Sequence, residues 1–179
     1  TLQELAGADG HEERAIKIAL CLRCAKWYGQ ELGHPEYAVP YYTQILSLDP
    51  TNYAAMQSQA DLYRHLGQWQ MLAQMLGRMA EIVRGGKERA AVFAQMGELC
   101  EEHLGLPEQA PSYYRQAIEA DPTNLVAITS LERIYKARSD WPELLDILKL
   151  KVAALSDPDE VVEARLAVAE VYELRLERV

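Results

Sequence analysis

Glu98, Glu101 and Glu102 stand at i, i+3 and i+4, a spacing that puts three carboxylates on one face of a helix. Carboxylates can act as acid and base, but only where a dry pocket pushes their pKa values apart. Nothing in the surrounding pattern closes such a pocket, so they read as a solvated face or as an attraction for a basic partner. The four histidines, His11, His34, His65 and His103, are scattered, and none has a partner at the H-E-x-x-H spacing of a zinc site. Cys21-x-x-Cys24 is half of a zinc or redox motif with no second pair to complete it. These two thiols and Cys100 fall on apolar helical stripes, the usual place of free cysteine as a small hydrophobe, which favours a reducing compartment. Gly85-Gly86-Lys87 hints at a phosphate loop, but Glu88 stands where G-x-x-x-x-G-K-[ST] needs a hydroxyl. No G-x-S-x-G elbow is present. The residues predict no catalytic, cofactor or metal site.

The elements that carry these groups belong to a chain of 179 residues with 49% hydrophobic and 25% charged residues and a net charge of −9. That composition can bury a core. Residues 1–89 hold 9 Lys and Arg against 10 Asp and Glu, and residues 90–179 hold 9 against 17. An acidic second half repels nucleic acid and anionic lipid alike, so protein partners are expected and nucleic acid is not. No apolar run approaches the length of a membrane-spanning helix, so no membrane insertion is expected. The chain opens in mid-pattern with TLQELAGADG, which reads as a segment of a longer protein and leaves its cellular location open.

An internal repeat organises the whole chain. The 34 residues from Ala19 align without gaps on the 34 from Ala91, with 13 identities that include LG-x-PE-x-A, a Tyr-Tyr pair and DPTN. The offset of 72 continues through Tyr63/Tyr135, Trp69/Trp141 and Leu76/Leu148, and Leu104/Leu176 opens a third copy. Each unit divides into two helical hairpins. Leu-Gly pairs at 32–33, 66–67 and 104–105 mark helix ends, since glycine takes the left-handed position after a helix. Asp-Pro at 49–50 and 121–122 stops the second helices, and Thr-Asn at 51–52 and 123–124 offers N-caps. Helices are predicted near 11–32, 35–48, 53–66, 69–84, 87–104, 107–120, 124–138, 141–155 and 159–177. No stretch alternates with period two, so no strand is expected.

This pattern resembles the tetratricopeptide repeat (TPR) family. Phe93, Met96, Gly97 and Cys100 occupy the first part of its pattern, Ala110-x3-Tyr114 the second, and Pro122 closes it. Ala38-x3-Tyr42 and Pro50 repeat that spacing. Two further copies depart from it: Leu72 and Leu144 replace the small Ala, Gln59 falls on a core position, and Ser139 replaces the turn glycine. The resemblance implies an all-α, right-handed α-solenoid of about four and a half stacked hairpins, read as one domain over 1–179. The repeats run about 15–52, 53–86, 87–124 and 125–158, with an incomplete one at 159–179. Small residues let the helices approach, and Tyr42, Tyr63, Tyr114 and Tyr135 fill the gaps. In each Tyr doublet one ring is expected in the core and the other more exposed.

The resemblance also implies a non-enzymatic scaffold that binds a protein or peptide along the inner faces of its first helices. Helical spacing places there Arg23, Lys26 and Gln30, then Gln57, Ser58, Asp61, Arg64 and His65. Gln95, Glu98, Glu101 and Glu102 follow, then Thr129, Ser130, Arg133 and Lys136. The groove is thus expected to run basic, mixed, acidic and basic, and to suit a basic or mixed-charge partner. A structural spacer or self-assembly arm is the alternative. The unpaired last helix motivates it, with an apolar face around Val168, Val171 and Tyr172 that needs cover.

Overall fold

Helix ends come first, because they fix everything the helices carry. The structure is a computed structural model that describes the backbone of residues 2–174 and the side chains of residues 10–173 apart from Gln30. The side chain of Gln30, Leu176 and the expected helix end at 177 therefore lie outside the described residues. Among these residues every regular element is helical: α1 (Leu2–Lys26), a π-helical turn (Trp27–Glu31), a 3-10 turn (Pro35–Tyr37), α2 (Val39–Leu48), α3 (Tyr53–His65) and α4 (Trp69–Ile82). Then come α5 (Gly86–Glu102), α6 (Ala110–Ala120), α7 (Leu125–Arg138), α8 (Trp141–Ala154) and α9 (Pro158–Leu174). This is the all-α helical-repeat solenoid class.

The punctuation residues act as their chemistry requires. Gly33, Gly67 and Gly105 all adopt φ near +67°, at +67°, +67° and +66°. Ser139 takes the same left-handed position at φ 57°, where a side chain costs about 1–2 kcal/mol, and the Asp140 N–H still closes onto the Tyr135 carbonyl at 2.9 Å. Asn52 and Asn124 cap α3 and α7 by accepting from the N–H groups of Ala55 and Ala127, at 3.0 Å and 2.9 Å. Three helix starts differ from expectation. The helices expected from 35 and 107 start at Val39 and Ala110, each with a proline, Pro40 or Pro111, in its first turn. Proline lacks an N–H and fits only where the helix leaves that donor unused. The first helix begins at Leu2 rather than near 11.

The chain divides into two compact units, Thr1–Ile82 and Val83–Val179. In the first, α1 packs on α2, α2 on α3 and α3 on α4. Ala38, Ile45, Ala55, Met56, Leu72 and Leu76 are sealed between them. In the second, each of α5 to α9 packs on the next, around Ala90, Tyr114, Ile128, Leu131 and Leu148. Small residues decide how close the helices come. A Cβ built on Gly97 would lie 2.6 Å from Tyr114 Cε1, so the Tyr114 ring occupies the space that a side chain at 97 would need.

Two packing expectations need correction. The face of α9 around Val168, Val171 and Tyr172 is not left bare. Val171 is buried, and the Tyr172 ring takes Lys149 Nζ of α8 at 5.8 Å from its centroid. α8 already covers that stripe, and the large exposed apolar side chains of α9 among the described residues are Val162 and Leu166 on another face. The tyrosine doublets also differ. Tyr114 is buried beside a half-buried Tyr113, whereas Tyr41 and Tyr42 are both half-buried, because Tyr41 stacks on Tyr28 at 5.7 Å.

Candidate functional site

The first helices of each unit carry the expected groove residues. In the second unit, α5 presents Glu101 to α6 and α7. Its Oε2 accepts from the Tyr114 hydroxyl at 2.9 Å, and both oxygens accept from Arg133 Nη2, at 2.9 Å and 2.8 Å. The Glu101 side chain is only 15% exposed, so it turns away from the solvated face of the helix. Glu102 is 69% exposed, with His103 Nε2 at 3.8 Å. Glu98 is exposed on the same helix, and Gln95 is half-buried. Burial pushes the Tyr114 phenol far above its ordinary range, and the carboxylate it donates to pushes in the same direction, so the hydroxyl stays protonated. Arg133 is raised in turn, first by its hydrogen bond to Glu101. Lys136 lies apart, at a small cavity of about 120 Å³ that it shares with Glu132, Trp141 and Glu170.

In the first unit the same positions are open. A cleft of about 430 Å³ lies between α1 and α3, lined by Lys26, Gly29, Tyr42, Ser58, Asp61 and His65. Through the 72-residue offset, Gly29, Tyr42, Ser58 and Asp61 correspond to Glu101, Tyr114, Ser130 and Arg133, and Lys26 corresponds to Glu98. One site therefore occurs twice in two states. In the second unit a glutamate of the chain fills it. In the first, a glycine in the π-helical turn leaves it empty, and the charges are inverted.

Of the expected residues, the structure brings Lys26, Asp61 and His65 together at this cleft. Arg64 Nη1 lies 2.8 Å from Asp61 Oδ1, one helical turn along, and both side chains are largely exposed. Arg23 shares an exposed surface with Lys26, Leu20 and Trp27. Gln57 is exposed on α3 outside the cleft lining. The spacing analysis did not mark Gly29 or Tyr42 as site residues. The signal was present in the alignment, where Gly29 falls opposite Glu101 and Asp61 opposite Arg133. No group of three or more His, Cys, Asp or Glu among the described residues could hold a metal ion. No described helix is long and apolar enough to cross a membrane.

Residues 41–75 and 90–124 each match a tetratricopeptide repeat family model. No curated protein sequence matches the chain. Among solved structures, the fold is similar to that of the MamA protein, at 15% identity over 90% of this chain and 85% of that one, with a TM-score of 0.62. It is also similar to YrrB, a TPR protein with an unusual peptide-binding site, at 17% identity over 86% and 75%, with a TM-score of 0.56. With a repeat match in each unit, and with the glycine ends, Asn caps and small-residue contacts that the pattern demands, the chain carries tetratricopeptide repeats over 41–75 and 90–124, which support a protein-interaction scaffold.

Proposed function

We propose that this scaffold binds an extended peptide segment of a protein partner on the first helices of its first unit, with a basic side chain of the partner seated in the Gly29 cleft. The observation that carries the reading is the paired site. In the second unit a carboxylate enters between Tyr114 and Arg133, and in the first a cleft of about 430 Å³ lies beside Tyr42 and Asp61. Charge inversion at Asp61 turns a carboxylate seat into a seat for an ammonium or guanidinium. Arg64 neutralises Asp61 only in part, because an exposed pair one turn apart is worth well under about 1 kcal/mol. The peptide-binding site of YrrB supports a peptide as the partner.

A double variant tests the reading. Gly29→Glu with Asp61→Arg rebuilds the filled site, and a Cβ at 29 meets only Ala38 Cβ at an ordinary 3.6 Å. NMR titration with the capped peptide acetyl-Leu-Lys-Leu-Lys-amide is expected to shift the amides around Gly29 and Asp61 in the parent and not in the variant. Equal shifts in both proteins, or none in the parent, overturn the proposal.

Self-association through α9 is the second reading, supported by Val162 and Leu166, which are 56% and 60% exposed. Light scattering over a dilution series decides it. A mass that does not change with concentration removes it.

A further inference from the structure

A second cleft in the first unit lies among α2, α3 and α4, with a volume of about 400 Å³. Its floor is Gln59, the polar residue at a core position. Gln59 is 2% exposed, and it is the one buried polar residue in the described core. Its Nε2 donates to Thr43 Oγ1 at 2.9 Å and to Tyr63 Oη at 2.8 Å. The Thr43 hydroxyl donates in turn to the Val39 carbonyl at 3.1 Å, which leaves its oxygen to accept from Gln59. Gln59 Oε1 is left buried without a hydrogen-bond partner among the described residues. Such an acceptor costs about 1–3 kcal/mol unless a donor reaches it.

The duplicate shows that the fold does not require this arrangement. Leu131 takes the Gln59 position, and Tyr135, the counterpart of Tyr63, accepts instead from Arg115 Nε at 2.8 Å. Leu131 leaves no orphan acceptor, being apolar and fully buried. The first unit keeps a polar group in a core slot where its own second copy keeps leucine.

The walls state what would satisfy it. Met71, Met75 and Arg78 form one stripe of α4, at i, i+4 and i+7, opposite Thr43 and Leu46 of α2. The lining holds a cation and no carboxylate. Its methionines are flexible side chains that re-pack around a guest. The stripe from Met71 to Arg78 rises about 10 Å, the reach of about three extended residues. We infer that this cleft binds a short acidic segment of a partner protein, with a carboxylate pairing with Arg78, an apolar side chain lying on Met71 and Met75, and the sealed Gln59 amide turning toward the guest so that Oε1 accepts one backbone N–H. This site is distinct from the Gly29 cleft and selects the opposite charge.

The test uses the whole chain and the capped peptide acetyl-Leu-Glu-Leu-Glu-amide, followed by NMR of the Gln59 side-chain amide and the Arg78 guanidinium. Both signals are expected to shift saturably, and acetyl-Leu-Lys-Leu-Lys-amide is expected to leave them in place. Gln59→Leu, which installs the residue of the second copy, should fold with unchanged or raised thermal stability and bind the acidic peptide about fivefold or more weakly. Arg78→Gln should abolish the preference for Glu over Gln in the peptide. If Gln59→Leu and Arg78→Gln bind as the parent does, or if no shift reaches Gln59 at millimolar peptide, the cleft is a hydrated groove and the inference falls. The Gly29 reading is followed through other signals, those of Gly29 and Asp61, so its failure would leave this result untouched.

Discussion

Glu101 of α5 and Arg133 of α7 are 32 residues apart in sequence and are joined by two hydrogen bonds from a single guanidinium nitrogen, at 2.9 Å and 2.8 Å. The pair ties one repeat's first helix to the next. It also receives the hydroxyl of Tyr114, which is 1% exposed, so the carboxylate satisfies a group that has little access to water.

Glu101→Ala is expected to destabilise the protein by about 1–3 kcal/mol, chiefly through the buried Tyr114 hydroxyl and less through Arg133, which is 64% exposed. Glu98→Lys with Glu102→Lys should leave stability within about 0.5 kcal/mol. Urea unfolding of the three proteins checks this. Equal stability for all three would mean that the Glu101 network contributes nothing.

Gly97→Ala places a methyl group 2.6 Å from the Tyr114 ring, against packing that is already full. The expected loss is about 1–3 kcal/mol despite the better helix propensity of alanine. Gly29→Ala, where the nearest atom is Ala38 Cβ at 3.6 Å, should cost nothing and serves as the control. A thermal melt that ranks the two the other way refutes the close approach.

Two groups contribute at opposite ends of the pH profile. The Thr123 hydroxyl, at 2.7 Å, and the Thr123 N–H hold the Asp121 carboxyl below its ordinary 3.8. Because the folded value is the lower one, this stabilisation is present above pH 3.8 and is lost as pH falls through the lowered value. Burial raises Tyr114 above its ordinary 10.0, so its contribution is complete below pH 10 and is lost as the solution becomes more alkaline. Unfolding midpoints against pH should therefore fall at both ends. Asp121→Asn is expected to lessen the acid-side fall and leave the alkaline side alone, and Tyr114→Phe the reverse; a variant that changes the other limb contradicts the assignment.

What the sequence alone determined is local. Asn52 and Asn124 as caps, and Gly33, Gly67 and Gly105 as helix ends, follow from bonds that span a few residues, so spacing suffices to read them. The 72-residue repeat gave the helical hairpins and the solenoid class for the same reason, since each copy must satisfy the same short-range rules. Tertiary structure decided whatever depends on distances between helices. Helical spacing put Glu98, Glu101 and Glu102 on one face, but only the positions of Tyr114 and Arg133 draw Glu101 inward and leave the other two in water. The same holds for Gly29, which lines a cleft only because the packing brings Tyr42, Ser58 and Asp61 around it. Likewise, α8 covers Val171 and leaves Leu166 bare, because an amphipathic pattern identifies an apolar stripe but not which neighbour reaches it. Bonds along a helix are fixed by residue spacing, whereas contacts across helices depend on the packing of every side chain between them.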